Sequence, residues 1–189
     1  MKILYNDIMD AFECLNIIRS GHFKLSSGRH SDTYIQKDLI HLYPRLYNNI
    51  NYTFYNIIKH SLKDFNLITG PPLAGAFFAK TLAYDCNKPF IYPEKVNGEI
   101  VLKRGFDKII KGKNVLIAED IITTGGSVEK LIRIIEDNGG TVFKVLCIWN
   151  RNNWDKYDCE GIIRLTLNDY EPENCPLCKE GIRLIDPKE

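Results

Sequence analysis

The stretch Val115-Leu-Ile-Ala-Glu-Asp-Ile-Ile-Thr-Thr-Gly-Gly-Ser127 decides the fold of this chain. Its first four residues are apolar without polar alternation, which is typical of a parallel strand covered on both faces. The segment that follows, 128–137, is predicted to be a helix that ends at Asn138-Gly-Gly140. A buried strand, a glycine turn and a helix in this order predict one unit of an α/β fold.

The same order of elements recurs on both sides of this stretch. Short apolar strands are predicted at 67–69, 90–92, 142–149 and 162–167, and a buried helix at 76–84 follows the turn Gly70-Pro-Pro-Leu-Ala-Gly75. Asn97-Gly98 predicts a hairpin turn leading into a strand at 100–102. Alternating strands and helices predict an α/β fold with a mainly parallel central sheet flanked by helices.

The first part of the chain has a different pattern. Helices are predicted for 7–20, ended by Gly21, and from Pro44 onward, with an extended, loop-rich segment at 22–36 between them. We therefore expect three parts: a small N-terminal cap at 1–60, the α/β core at 61–170, and a C-terminal tail at 171–189 that packs on the cap or the core.

Composition and charge exclude several classes of protein. The 189 residues are 44% hydrophobic and 26% charged, which excludes a disordered or low-complexity chain. The formal net charge is +1, so nucleic acid is not an expected partner. The apolar runs are shorter than the roughly 20 residues of a membrane helix, and the polar residues that follow the first five are not expected in a secretion signal. We expect a cytoplasmic protein that has no membrane contact.

Chemistry-bearing residues cluster in the deciding stretch. Glu119 and Asp120 are expected to emerge side by side at the carboxyl end of their strand, where open parallel sheets bind ligands. Adjacent carboxylates repel each other unless a cation or sugar hydroxyls lie between them. The hydroxyls, glycines and helix start of 123–127 suit a phosphate. The acidic pair and the segment 123–127 together fit a phosphorylated sugar. The alternative is a strand-to-helix turn in which the glycines serve only to make the turn tight.

Two nucleotide-binding motifs are disfavoured. The chain contains no Gly-x-Gly sequence, which disfavours a dinucleotide fold. Gly70 and Gly75 have the spacing of a P-loop, but Ala76-Phe77 stand where Lys-Ser/Thr is required.

The six cysteines are expected to be mostly free thiols. Cys14, Cys86, Cys147 and Cys159 are scattered singly. Cys175-Pro-Leu-Cys178 is half of a zinc site at best, since no second Cys/His pair with ligand spacing exists; the alternative is a surface turn or local packing.

The deciding stretch resembles the phosphoribosyl-pyrophosphate (PRPP) motif of type I phosphoribosyltransferases, in a form similar to the orotate branch of that family. Gly21-His-Phe-Lys-Leu-Ser-Ser-Gly-Arg-His-Ser31 with Tyr34-Ile-Gln36 resembles that branch's N-terminal substrate segment. Gly70–Gly75 resembles its pyrophosphate loop, and Leu102-Lys-Arg-Gly-Phe106 the end of its mobile loop. Cys175-Pro-Leu-Cys-Lys-Glu-Gly181 resembles the tail of one bacterial and archaeal branch. These matches occur in the family's order.

The resemblance implies roles for individual residues. Glu119 and Asp120 would contact the ribose 2- and 3-hydroxyls and, with Lys95 and Lys103, form the catalytic set. The PRPP-binding residues would be Glu119, Asp120, Ile121, Ile122, Thr123, Thr124, Gly125, Gly126 and Ser127, with Lys95 and Arg104. Orotate would meet Thr123, Arg151, Tyr34 and Ile35. A guanidinium matches a carboxylate bidentately, although Arg151 by itself also fits a solvated loop arginine.

The chain departs from the family's pattern in its lysines. One branch carries a lysine at the place of Ser26 and another at the place of Ala74. The mobile loop, from about Glu94 to Gly105, is short and lacks Lys-x-His-Gly. Which of its cations, Lys95, Lys103 and Arg104, acts on pyrophosphate stays open, and Lys103 also fits an exposed strand residue. In the family this loop reaches into the neighbouring subunit's site, which implies a homodimer with shared sites.

The resemblance implies an enzyme, a pentosyltransferase of pyrimidine biosynthesis. It would convert orotate and PRPP to orotidine 5-phosphate and pyrophosphate with Mg²⁺, which enters with PRPP near Asp120. One alternative is a phosphoribosyltransferase for another base, although such bases lack a carboxylate for Arg151. A second is a non-catalytic PRPP-sensing regulator, which would need room for a DNA-binding module. A small metal-binding module built on the cysteine pair explains none of the other matches.

Overall fold

The computed structural model of the chain describes residues 5–25, 27–164 and 166–187. The helices are α1 Tyr5–Cys14, α2 Pro44–Ile58, α3 Ala74–Asp85, α4 Phe106–Ile110, α5 Gly126–Asp137 and α6 Pro176–Lys179. The strands are β1 Ile18–Lys24, β2 His30–Ile35, β3 Leu67–Thr69, β4 Glu94–Val96, β5 Glu99–Val101, β6 Asn114–Ile122, β7 Thr141–Asn150, β8 Cys159–Ile163 and β9 Asp169–Tyr170. Ser26, the place of one family lysine, and Leu165, near the end of a predicted strand, lie outside the described residues.

A parallel sheet with the strand order β3-β6-β7-β8 forms the core of the unit that runs from Tyr47 to Arg164. The four residues Val115 to Ala118 of β6 are fully buried. Helices α3 and α5 pack against β6, so apolar side chains are required along the whole strand. The predicted α/β fold with a parallel sheet flanked by helices is confirmed.

The described residues up to Leu46, together with those from Thr166 onward, form a second unit. It contains the antiparallel sheet β1-β2-β9. The C-terminal tail therefore belongs to the same unit as the N-terminal strands. The division falls after Leu46 and not at residue 60, because α2 from Tyr47 onward packs on α3: the Tyr47 ring stacks on Phe78 at 4.8 Å, and its hydroxyl donates to the Phe77 carbonyl at 2.8 Å.

Three predicted elements have different boundaries. The helix predicted for 7–20 ends at Cys14, since Asn16 takes a left-handed φ of 54° and Ile18 pairs with Ile35 in the β1–β2 ladder. The segment 90–92 forms a single bridge, Ile68 to Phe90, because the prolines on both sides of it cannot donate to a ladder. The last predicted strand, 162–167, is displaced to β8.

The hairpin predicted at Asn97-Gly98 is present between β4 and β5. Both turn residues have positive φ, 50° and 85°, as a two-residue turn of this kind requires. Among the residues that the structure describes, the longest apolar helical segments fall short of what a membrane span needs.

Candidate functional site

The acidic pair lies inside the end of β6 and not beyond it. Ladder pairing with β7 continues to Ile122 opposite Asn150, which corrects the expectation that Glu119 and Asp120 emerge past the strand. Their exposed fractions are 6% and 2%. The Asp120 amide donates to Glu119 Oε1 at 2.9 Å, and the Ile121 amide donates to Asp120 Oδ1 at 2.5 Å. Buried carboxylates need such partners, and these bonds fix how the two side chains are held.

The glycine loop 70–75 lies directly against this pair. A Cβ atom on Gly75 would come within 2.6 Å of Glu119 Oε1, and one on Gly70 within 2.4 Å of the Ala118 carbonyl oxygen. Only glycine permits this approach of backbone to strand. The loop leads into α3, and the peptide bond between Pro72 and Leu73 is cis. The structure thus brings together two segments that are more than 40 residues apart in the sequence.

The turn after β6 is held by a tryptophan. Gly125 has a φ of +80° and immediately precedes α5, and a Cβ atom there would lie 2.2 Å from Trp154 Nε1. The Trp154 indole donates to Glu129 Oε1 at 3.1 Å, and Lys156 donates to the same oxygen at 2.9 Å. The hydrogen bonds from Lys156 and then Trp154 hold the pKa of the Glu129 carboxyl below its ordinary value. Glycine is therefore required at position 125 both by its φ and by the indole.

The predicted phosphate-binding residues lie at the amino end of α5. The amides of a helix's first turn have no acceptor within the helix, and the helix dipole favours negative charge there. The residues predicted to bind PRPP are arranged in order around this end: Ile121 and Ile122 close β6, Thr123, Thr124 and Gly125 form the turn, and Gly126 and Ser127 begin α5.

Arg151 lies beside this turn. Its backbone amide donates to the Ile122 carbonyl at 2.9 Å, so it adjoins the residue that precedes Thr123. Its exposed fraction is 9%, which does not fit a solvated loop arginine. Asn150, the last residue of β7, donates to the Trp154 carbonyl and accepts from the Trp154 amide, both at 2.7 Å. The loop that carries Arg151 is therefore folded around the Asn150 side chain.

Asn150, Trp154 and Glu129 are positioning residues that the sequence analysis missed. Together they tie the turn at Gly125 to the loop at Arg151. The available signal was a polar residue at the end of an apolar strand, followed four residues later by one of only two tryptophans in the chain.

Comparison with known proteins identifies the family. The sequence profile of the phosphoribosyl transferase domain matches residues 38–176. An orotate phosphoribosyltransferase of Caldanaerobacter subterraneus subsp. tengcongensis is 38% identical over 186 residues, 95% of each chain. The chain belongs to the orotate phosphoribosyltransferase family. A second relative of that name, from Thermoanaerobacter sp., is 35% identical over 184 residues, 96% of this chain and 95% of the relative.

The fold agrees with this placement. A crystal structure of orotate phosphoribosyltransferase from Aeropyrum pernix has a TM-score of 0.65 at 24% identity, covering 95% of this chain and 91% of that chain. The resemblance drawn from the sequence motifs is confirmed, and the chain has the type I phosphoribosyltransferase fold.

The segment that matches the family's mobile loop is the β4–β5 hairpin with the residues up to Gly105. Glu94 pairs with Arg104, whose Nε lies 3.0 Å from Oε1, and with Lys103, whose Nζ lies 4.0 Å from Oε2. Lys95 is exposed on β4 and, within the described residues, forms no ion pair. Glu99 of β5 pairs with Lys130 of α5 at 3.3 Å. Lys95 is thus in a different electrostatic setting from Lys103 and Arg104, which share Glu94.

Tyr34 and Ile35, the remaining residues predicted to meet orotate, lie in the other unit. They stand on β2 opposite Arg19 and Ile18 of β1, and the Tyr34 ring lies 5.6 Å from the Phe23 ring. Both are half-buried. Their contact with orotate remains a prediction.

Proposed function

We propose that this chain transfers the 5-phosphoribosyl group from PRPP to orotate, giving orotidine 5-phosphate and pyrophosphate. One observation carries the choice of base: a buried arginine, Arg151, whose amide is bonded to Ile122 directly before the turn expected to hold the sugar phosphate. Orotate carries a carboxylate that a guanidinium binds bidentately, whereas uracil and the purine bases do not. The names of the two curated relatives support the same choice.

The acidic pair would hold the ribose. The reaction breaks the bond between ribose C1 and a pyrophosphate oxygen while positive charge grows on the ring, so catalysis depends on positioning and electrostatics. Glu119 and Asp120 would accept hydrogen bonds from the ribose 2- and 3-hydroxyls and offset the ring charge. Their burial supports this role, because a carboxylate acts more strongly on a nearby charge when water is excluded.

The phosphates would be bound by the two glycine loops. The turn 123–127 offers hydroxyls and the first amides of α5 to the 5-phosphate. The loop 70–75, which lies against Glu119, would hold the pyrophosphate on the other side of the ribose. This order matches the order of the groups along PRPP.

The residues present fit a magnesium ion that enters with PRPP. Mg²⁺ prefers oxygen ligands and is commonly held by one or two carboxylates together with substrate phosphates and water. Asp120 and Glu119 offer carboxylate oxygens at the end of β6, next to the turn 123–127, which we call the phosphate turn. When bound, Mg²⁺ offsets the negative charge of the departing pyrophosphate.

Lys95 is the loop cation that we assign to pyrophosphate. Arg104 and Lys103 are already paired with Glu94, so each would have to leave a carboxylate to reach a phosphate. Lys95 is exposed on the same hairpin and has no such contact with the described residues. A lysine exposed to water gains little by itself, but placed over a pyrophosphate it stabilises a concentrated charge.

A substrate test decides the function. Purified protein is mixed with PRPP, Mg²⁺ and orotate, and the loss of orotate absorbance is followed; uracil, adenine and hypoxanthine replace orotate in parallel. We expect turnover of orotate alone. Turnover of another base in its place would assign the chain a different base. Binding of PRPP in calorimetry without turnover of any base would favour a non-catalytic PRPP sensor.

We also propose that the active form is a homodimer in which each hairpin serves the partner's site. The test mixes an Asp120→Asn protein with a variant that carries alanine at Lys95, Lys103 and Arg104, under conditions that allow subunit exchange. Each mixed dimer then has one site with two wild-type halves, so random mixing restores about a quarter of wild-type activity. No recovery in demonstrated mixed dimers would mean that each hairpin serves its own subunit.

A further inference from the structure

Four side chains with metal-binding atoms meet in the unit built on β1, β2 and the tail. They are His22, His30, Cys175 and Cys178, and their ligand atoms all lie within 4.8 Å of one another. The expectation of half a zinc site at best is wrong, because strand pairing brings in two histidines that the sequence separates by seven residues. His30 pairs with Lys24 across the β1–β2 ladder, and the His22 and His30 rings meet with their centroids 5.0 Å apart.

The spacing of the four atoms matches a tetrahedral zinc site. Zinc bonds of about 2.0–2.1 Å to nitrogen and about 2.3 Å to sulfur, at tetrahedral angles, separate two nitrogens by about 3.4 Å and a nitrogen from a sulfur by about 3.6 Å. His22 Nε2 lies 3.1 Å from His30 Nδ1, 3.4 Å from Cys175 Sγ and 3.6 Å from Cys178 Sγ. Cys178 Sγ lies 3.3 Å from His30 Nδ1. These four distances differ from the tetrahedral values by at most about 0.3 Å, and the other two pairs of ligand atoms lie within 4.8 Å of each other.

The first histidine is held in the tautomer that a metal requires. His22 Nδ1 lies 2.7 Å from the carbonyl oxygen of Ile182. A carbonyl only accepts, so the proton is on Nδ1 and the Nε2 lone pair faces the cluster. Histidine ligands of metals are commonly oriented in this way by a backbone carbonyl.

The burial of three of the four side chains shows that this cluster is not a surface turn. His22 and Cys175 are 1% and 0% exposed and His30 is buried, whereas Cys178 is exposed and leaves a route for an ion. Among the described tail residues from Glu171 to Ile185, every side chain but that of Cys175 is exposed or half-buried. Apolar burial therefore does not explain why the tail lies along β1, where the Ile185 amide donates to the His22 carbonyl at 2.8 Å.

We propose that His22 Nε2, His30 Nδ1, Cys175 Sγ and Cys178 Sγ bind one Zn²⁺ in a structural site that fixes the C-terminal tail to the β1–β2 ladder. Binding releases the two thiol protons, and the two thiolates then balance the charge of the ion. Four protein ligands leave no open position, as in structural and not catalytic zinc sites. Thiolate and imidazole ligands favour zinc over magnesium, so this site is distinct from the one expected near Asp120.

Metal content tests the proposal without any measurement of activity. Protein is purified with no chelator and no polyhistidine tag, and its zinc content is measured by elemental mass spectrometry. We expect about one zinc per chain in the wild type and loss of most of it in Cys178→Ser. Cys14→Ser, which alters another exposed cysteine outside the cluster, is the matched control and keeps its zinc. Equal zinc in the two variants, or none in the wild type, would overturn the proposal.

A second measurement covers the case in which Cys178→Ser does not fold. Wild-type protein is freed of metal with a chelator and titrated with Co²⁺, whose absorption spectrum distinguishes tetrahedral thiolate coordination from octahedral oxygen coordination. We expect the tetrahedral thiolate spectrum at one equivalent, and protection of Cys175 and Cys178 from alkylation. An octahedral spectrum would overturn the proposal, as would a native mass lighter by two hydrogens, which indicates a Cys175–Cys178 disulfide.

Discussion

Gly125→Ala measures how tightly the phosphate turn is held. The added methyl meets two obstacles: a φ of +80°, which disfavours any residue with a Cβ, and the Trp154 indole nitrogen at 2.2 Å. Gly112→Ala is the matched control, because Gly112 has a φ of +69° and a Cβ there has no neighbour within 4 Å. The difference between the two variants isolates the contact with Trp154.

The two obstacles have different magnitudes. A left-handed backbone conformation costs a non-glycine residue about 1–2 kcal/mol, and both variants incur it. Overpacking against a buried ring adds about 1–3 kcal/mol in Gly125→Ala alone. For a chain of this length we expect Gly125→Ala to melt about 2–12 °C below Gly112→Ala. A shift of the turn by about 1 Å would reduce kcat/KM roughly 10²-fold, whereas Gly112→Ala keeps wild-type kinetics.

Thermal melts and steady-state kinetics check both numbers. Trp154→Phe removes the indole nitrogen, so it should recover part of the stability lost in Gly125→Ala, a coupling of about 0.5–3 kcal/mol in the double-mutant cycle. Equal melting temperatures for Gly125→Ala and Gly112→Ala, with additive effects of Trp154→Phe, would refute the packing argument. Reduced stability with normal kcat/KM would separate the turn from catalysis.

Three further predictions concern the site. Asp120→Asn should keep the melting temperature and lower kcat/KM about 10²-fold, because it removes charge without changing shape; kinetics close to wild type would refute the role of this carboxylate. Arg151→Lys should raise the KM for orotate, because about 1–3 kcal/mol of substrate recognition is lost, and it should leave the PRPP affinity measured by calorimetry unchanged. Equal effects on the orotate KM and the PRPP affinity would count against Arg151 as the orotate ligand. Hydrogen bonds from Lys156 and then Trp154 hold the pKa of the Glu129 carboxyl below its ordinary value, so the carboxylate stabilises the fold above that ordinary value and the stabilisation is lost as pH falls through the lowered pKa. Glu129→Gln should therefore melt below the wild type near about pH 7, and the gap should close as the pH falls through the lowered pKa; a gap independent of pH would contradict this.

Local patterns were sufficient where each element is determined by its own residues. The unbroken apolar run of β6, the glycines after it and the spacing of α5 predict strand, turn and helix, and the structure has them. Asn97-Gly98 predicts its hairpin because both residues tolerate positive φ. The family motif lies in this locally determined stretch, which is why the fold and the acidic pair could be found from the sequence.

Long-range pairing accounts for what the sequence analysis missed. Apolar spacing continues past Cys14 to Ile18, but pairing of Ile18 with Ile35 overrides it. The contact between Cys175 and His22 joins residues 153 positions apart. It depends on the β1–β2 register and on the path of the tail, and neither follows from the spacing of cysteines and histidines along the chain.

The register of β6 against β7 determines which residue stands beside the phosphate turn. Val115 pairs with Val142 and Leu116 with Lys144, so one residue of β7, Phe143, is left over as a bulge, and its ring stacks on Phe65 at 5.5 Å. Without the bulge, Ile122 would face Trp149 in place of Asn150. A slip of one residue exchanges the two faces of a strand, and bulges near active sites set where side chains point. The bulge at the start of β7 therefore places Asn150 opposite Ile122 and Arg151 next to the turn, far along the strand from Phe143 itself.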